Sequence, residues 1–356
     1  MEAVGRLGPA LLGAFSAFEA LQRRLHPADF PQLREALIPP ATRLAAALEE
    51  ASAQPRSAEI GRFAEALLGS ARHAARAAQL FLGEPGADSP GAGTDGVAGV
   101  LGALREHCRA QAAVFPLRGV MPPFDRYFIE AGAESRLAKL EAGRPGTGIF
   151  NAGNDPEARG GFSFFVPEDY DEARAWPLVV ALHGGFGHGG DFLWTWLREA
   201  RSRGWLLLAP TAQATTWSMM GEDHDAPALD SMLDYVEGRW NVDPARRLLT
   251  GLSDGGTYAL LRGLAQTSRF TAIAPVAGVL HPANLANGNL ARTGGKRIRW
   301  IHGARDWMFP VQLARQGASA LAEAGAEIEF IEVDDLSHAY PREENPGILE
   351  WAAAGG

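Results

Sequence analysis

The stretch RLLTGLSDGGTYALL, residues 247–261, runs from a continuous apolar segment through a glycine-flanked serine into a helical pattern. Gly251-Leu252-Ser253-Asp254-Gly255 fits G-x-S-x-G, and the context gives the match its meaning: a predicted strand ends at it and a predicted helix begins just after it. A turn that sharp crowds the backbone around the serine, and residues without a side chain relieve the crowding. Ser253 is therefore expected at the carboxyl edge of a sheet, with the positive end of a helix beneath it. Read alone, the same stretch also fits a glycine-rich helix N-cap with no chemistry, so the rest of the chain must decide.

Outward from this point, the segments GFSFFV (161–166), PLVVALH (177–183), WLLLAP (205–210), FTAIAPVAG (270–278), RIRWIHG (297–303) and EIEFIEVD (327–334) are largely continuous apolar runs. That is the pattern of strands covered on both faces. Helical patterns at 191–203, 226–239, 255–266, 311–324 and 346–354 lie between or after them, and the alternation predicts a mostly parallel, doubly wound α/β sheet. Upstream the character changes. Residues 7–145 are rich in Ala, Leu and Arg, with helices predicted near 7–25, 30–52, 57–82, 97–113 and 132–141 and a Gly/Pro-rich loop at 83–93. The turn-forming segment AGRPGTGIFNAGNDPEARGG (142–161) marks the change, giving a helical domain over 1–145 and a sheet domain over 146–356.

At 356 residues the chain exceeds one ordinary core, in keeping with two domains. The formal net charge is −9, and all of the acidic excess falls in residues 146–356. An acidic surface argues against nucleic acid and anionic membranes as partners. A single cysteine, Cys108, allows no intrachain disulfide, and the opening segment reads as an amphipathic helix (Leu7, Leu11, Leu12, Phe15, Phe18, Leu21, Leu25) rather than an export signal. With no apolar run of about 18 residues, the expectation is a cytoplasmic protein with no membrane span.

A serine hydroxyl needs a base before it can attack, and His338 in DDLSHAYP follows the last predicted strand, where a loop can carry it over the sheet edge. The histidine needs a carboxylate to fix its tautomer, and Asp306 in IHGARDWMFP follows the penultimate strand. Asp334 and Asp335 compete for that role by their proximity to His338. Asp254, adjacent to Ser253 on a tight turn, is poorly placed for it, and its expected contribution is its main-chain N–H. Together with the amide of Gly185 or Phe186 in HGGF (183–186), that N–H would hold a tetrahedral oxyanion. The glycines of GGFGHGG do not fall in dinucleotide-binding register.

Four ordered motifs, LHGG (182–185), GLSDGG (251–256), HGARDWMFP (302–310) and LSHAYP (336–341), give residues from about 150 onward a resemblance to the α/β-hydrolases. The resemblance is closest to the phospholipase/carboxylesterase and polyhydroxybutyrate-depolymerase-like esterase branches. It implies an α/β-hydrolase fold and a serine esterase with Ser253, Asp306 and His338 as its triad, acting on a small-molecule ester without metal or organic cofactor. A serine peptidase or acyltransferase would use the same residues, and a non-catalytic binding protein would keep only the scaffold. Trp217, Trp307, Met308 and Tyr340 are candidates for an apolar substrate pocket. The cluster Glu222, Asp223, His224 and Asp225 lies too close in sequence for all its members to converge on a metal, and Asp225 reads as an N-cap for the helix that follows. His188 and His302 read as structural. Three roles are open to the helical domain: covering the active-site mouth, mediating homo-oligomerisation, or stabilising the sheet domain.

Overall fold

Leu7, Leu11, Phe15, Phe18 and Leu21 recur at three- and four-residue intervals and form one buried stripe along helix α1 (Glu2–Arg23). The computed structural model describes residues 2–54, 61–83, 94–137 and 143–355. These fall into two compact units, one ending at Glu134 and the other starting at Ser135. In the first unit α1 is followed by α2 (Phe30–Ser52), α3 (Gly61–Leu82), α4 (Thr94–Val114) and the short α5 (Pro122–Tyr127). Phe18, Leu21, Leu33, Leu37, Ala77, Phe81 and Ala103 belong to one core in which α1 to α4 meet. The helix expected from residue 57 is described only from Gly61, since 55–60 lie outside the described residues. The helix expected over 132–141 is described as α6 (Glu134–Leu137), with 138–142 likewise outside.

The unit boundary falls earlier than the turn-rich composition suggested. Arg136, expected on the helical side, donates to Asp169 Oδ1 at 2.5 Å and to the Arg201 carbonyl at 2.9 Å, both within the second unit. Charge pairing thus places this arginine with the sheet.

Among the described residues the second unit contains eight strands: β1 (Gly148–Ala152), β2 (Phe162–Val166), β3 (Trp176–Leu182), β4 (Leu206–Pro210), β5 (Val242–Leu252), β6 (Ala272–Val276), β7 (Arg297–Gly303) and β8 (Glu327–Val333). Their spatial order is β1-β2-β4-β3-β5-β6-β7-β8. β1 pairs with β2 and β2 with β4 in antiparallel fashion, and every pairing from β4 to β8 is parallel. Helices α7 (Gly189–Arg203), α8 (Asp225–Glu237), α9 (Asp254–Gly263), α10 (Ala283–Ala286), α11 (Val311–Glu323) and α12 (Asn345–Ala353) follow or connect them. This is the α/β-hydrolase fold, a mostly parallel, doubly wound sheet. β2, β3, β4 and β6 are buried along their whole length, as strands covered on both faces must be. β1 lies in the segment read as a linker. It is a partly exposed edge strand, and its glycine-rich surroundings hide the pattern that burial imposes elsewhere.

The winding reverses at β3. β4 lies on one side of it and β5 on the other, so the loops leaving β3 and β5 diverge and open a crevice at the carboxyl edge, where ligands bind in open α/β sheets. Leu182 is paired with Gly251, so the loops leaving these strands begin side by side. No described helix is long and apolar enough to cross a membrane.

Candidate active site

Ser253 sits between β5 and α9 with φ 56° and ψ −118°, a conformation that L-residues rarely adopt. Such strain costs about 1–3 kcal/mol and persists only where the surroundings over-determine it. Here the Ser253 N–H donates to the Val276 carbonyl at 2.9 Å, and the Ser253 carbonyl accepts from Thr257 N–H at 2.9 Å. The flanking glycines make room. A side-chain carbon on Gly251 would lie 2.5 Å from the Gly255 backbone, and one on Gly255 would lie 2.4 Å from the carbonyl oxygens of Leu182 and His183. The strand-to-helix turn is therefore as tight as the G-x-S-x-G pattern predicts, and the N-terminus of α9 lies directly beneath the serine.

Two loops from the far end of the sheet meet it. His338, between β8 and α12, places Nε2 2.9 Å from Ser253 Oγ and Nδ1 2.8 Å from Asp306 Oδ2. Asp306, on the loop after β7, has a fully buried side chain, and its other oxygen accepts from Met308 N–H at 2.9 Å and Phe309 N–H at 2.8 Å. With the carboxylate on one side and the hydroxyl on the other, the histidine carries its proton on Nδ1 and leaves Nε2 to accept from Ser253. Asp334 and Asp335 stay exposed on the turn after β8, and Asp306 occupies the Nδ1 position. His302, fully buried, donates from Nε2 to the Phe309 carbonyl at 2.8 Å and lies 3.4 Å from Asp306 Oδ2. Burial pushes its pKa down, so it serves as a neutral prop for the acid's loop.

The HGGF turn after β3 runs beside the serine, a side-chain carbon on Gly184 standing 3.6 Å from Ser253 Cβ. Of the two amides proposed for the oxyanion, that of Phe186 donates to the Thr215 carbonyl at 2.7 Å, so it is withdrawn from the site. The Gly185 N–H makes no hydrogen bond to the described residues, and neither does the Asp254 N–H at the first turn of α9. His183 braces the turn from below. Its Nδ1–H donates to the Gly184 carbonyl at 2.7 Å and its Nε2 accepts from Ala212 N–H at 3.1 Å. Burial drives its pKa down to about 3, so this pattern holds at neutral pH.

Bonds that sequence reasoning missed hold the loop after β4. Asp225 accepts from Gln213 N–H (2.8 Å), Ser218 N–H (2.7 Å) and Ser218 Oγ (2.8 Å), so it ties the loop rather than capping α8. The N-cap position itself is His224, without a side-chain bond, and Asp223 just ahead of it accepts on Oδ1 from Ala226 N–H at 2.9 Å and from Tyr258 OH at 2.8 Å. Arg159 reaches in from the segment after β1 to the carbonyls of Gly187, at 2.7 Å, and Ala214, at 2.8 Å. Nothing in periodicity or spacing marks an arginine in a turn-rich segment for this task, whereas a buried-type carboxylate just outside a loop could have been weighed as a loop anchor. His188, as expected, is structural: its Nδ1 accepts from Gly190 N–H at 3.0 Å and caps α7.

The proposed pocket residues divide. Trp217 is buried, stacked on Tyr258 with centroids 5.3 Å apart, and donates to the His183 carbonyl at 2.7 Å. Tyr340 turns away to Asn345 Oδ1 (2.7 Å) and packs edge-on to Phe192 and Trp196. The polar tips of both find protein partners in the interior. Trp307 and Met308 are about half exposed beside Asp306, and Phe186 and Met220 project from the loops after β3 and β4.

No family model matches the chain. It is similar to a probable feruloyl esterase C from Aspergillus terreus, 26% identical over 154 residues, covering 41% of this chain and 54% of that protein. Feruloyl esterase C from Emericella nidulans is 27% identical over 154 residues with the same coverage. The chain thus spans about half the length of the curated relatives it matches. Among solved structures it is similar to a thermostable esterase, at 23% identity and a TM-score of 0.47 over 58% of this chain and 62% of that one. A ferulic acid esterase matches at 16% identity and a TM-score of 0.48 over 58% of this chain and 97% of that one.

Proposed function

We propose that this chain is a serine esterase that hydrolyses a small-molecule carboxylic ester through an acyl-enzyme. The observation that carries the reading is the continuous hydrogen-bonded series from Ser253 Oγ through His338 to a fully buried Asp306 carboxylate. In the proposed reaction Ser253 Oγ attacks the ester carbonyl as His338 Nε2 takes its proton, and Asp306 stabilises the imidazolium that forms. The amides of Gly185 and Asp254 accept the developing oxyanion, whose charge exists only in the transition state and intermediate. His338 then returns the proton to the departing alcohol, and a water activated by the same nitrogen releases the acid. The names of the two fungal relatives make methyl ferulate a first substrate to assay, beside p-nitrophenyl acetate.

A fluorophosphonate probe tests the reading. Stoichiometric phosphonylation of Ser253, abolished together with ester turnover in Ser253→Ala, is the expected result. A folded Ser253→Ala protein that turns esters over at the parental rate would refute it.

A further inference from the structure

Asp254 follows the nucleophile, and its side chain has a partner that the hydrolytic reading does not use. Its Oδ2 accepts from Thr216 Oγ1 at 2.5 Å, across the gap between the loops leaving β5 and β4. The same oxygen lies only 2.7 Å from where a side-chain carbon on Gly185 would be, with Thr216 Oγ1 3.9 Å from that point. The carboxylate therefore fills the space over the α-carbon of Gly185. Three loops touch at this one group: the loop after β3 through Gly185, the loop after β4 through Thr216 and the elbow after β5 through Asp254.

We infer that the Asp254 carboxylate is a positioning residue for the Gly185 amide, held in place by Thr216. The inference rests on the reading of Ser253 as the nucleophile and of Gly185 N–H as an oxyanion donor. Thr216 is a firm anchor, because Asp225 holds Gln213 and Ser218 on either side of it and Arg159 holds the Ala214 carbonyl. On the other side, the Phe186 N–H is fastened to the Thr215 carbonyl. The Gly185 peptide thus spans two fixed points. Removing the carboxylate opens a void against Gly185 and releases the Thr216 hydroxyl, so the amide loses its aim toward a charge that exists only in the transition state. Such a loss lowers kcat and leaves KM nearly unchanged.

The test measures kcat and KM on p-nitrophenyl acetate and the rate of fluorophosphonate labelling. It uses the full chain and its Asp254→Ala, Asp254→Asn, Thr216→Val and Asp254→Ala/Thr216→Val variants. Each of Asp254→Ala and Thr216→Val is expected to lower kcat and the labelling rate roughly 10- to 100-fold, within the loss that one oxyanion donor can cause, with KM changed less than about threefold. Because both act through one bond, the double variant is expected to be no worse than about twofold below the weaker single. Asp254→Asn keeps an acceptor oxygen and is expected to recover most of kcat. Melting temperatures identify any variant that has lost its fold, in which case Thr216→Val decides. Singles within twofold of the parent, or losses that multiply in the double variant, would overturn the inference. Failure of the hydrolytic reading looks different: Ser253 in the parent takes no label, whatever stands at 254.

Discussion

Asp306 accepts two backbone amides on one oxygen and His338 on the other. In Asp306→Asn the amide oxygen stays with Met308 and Phe309, so the NH2 group faces His338 Nδ1. The imidazole must then put its proton on Nε2, where it can no longer accept from Ser253. We expect kcat to fall on the order of 10⁴-fold with the fold retained, as read by ester assays beside circular dichroism. His183 has a different signature. Its pKa falls from 6.5 to about 3 on folding, chiefly through burial, so the unfolded chain binds the proton first as pH drops. The stabilisation is full above pH 6.5 and is lost as pH falls toward 3. Between pH 8 and pH 5 this one residue removes about 2 kcal/mol. In denaturant titrations of His183→Asn, the gap between the two pH values should narrow by about that amount, even though the variant is less stable at both.

At the scale of elements, what the sequence disclosed follows from which forces act locally. The strands β2, β3, β4 and β6 were legible because burial on both faces demands unbroken apolar runs, and the elbow was legible because its crowding demands glycine at Gly251 and Gly255. The Ser253, Asp306 and His338 positions could be picked out since each follows a strand end, and strand ends are where a parallel sheet gathers its loops. Tertiary ties left no such trace. Arg159 to Ala214 and Asp254 to Thr216 join separate loops, and Asp225 to Ser218 folds one loop back on the helix that ends it, each through a single polar atom or two with no periodicity and no spacing rule. The interior bonds of Trp217 and Tyr340 were equally unmarked. Their loops do border the site, but indole and phenol groups with interior partners turn inward.

At the scale of the molecule, the sheet unit has a core of its own, from Phe162 on β2 to Leu321 on α11. A chain beginning at Ser135 is therefore expected to fold, unfold cooperatively and label at Ser253. One beginning at Gly146 gives up the Arg136 bonds to Asp169 and Arg201 and should melt lower. Light scattering of the two chains beside the parent tests the helical unit as well. A particle that becomes monomeric on its removal assigns it to self-association, while an unchanged oligomeric state together with unchanged turnover leaves neither a lid nor an interface in it.

The loops at the carboxyl edge separate two kinds of residue. Trp307 and Met308 stand about half exposed on a turn whose amides are gripped by the Asp306 carboxylate, and Phe186 stands out from a backbone fastened to Thr215. Their side chains project outward while the backbone beneath them stays put. In evolutionary terms such a rim is a replaceable face on a fixed frame: selection can exchange an exposed side chain, one position at a time, without disturbing the groups beneath.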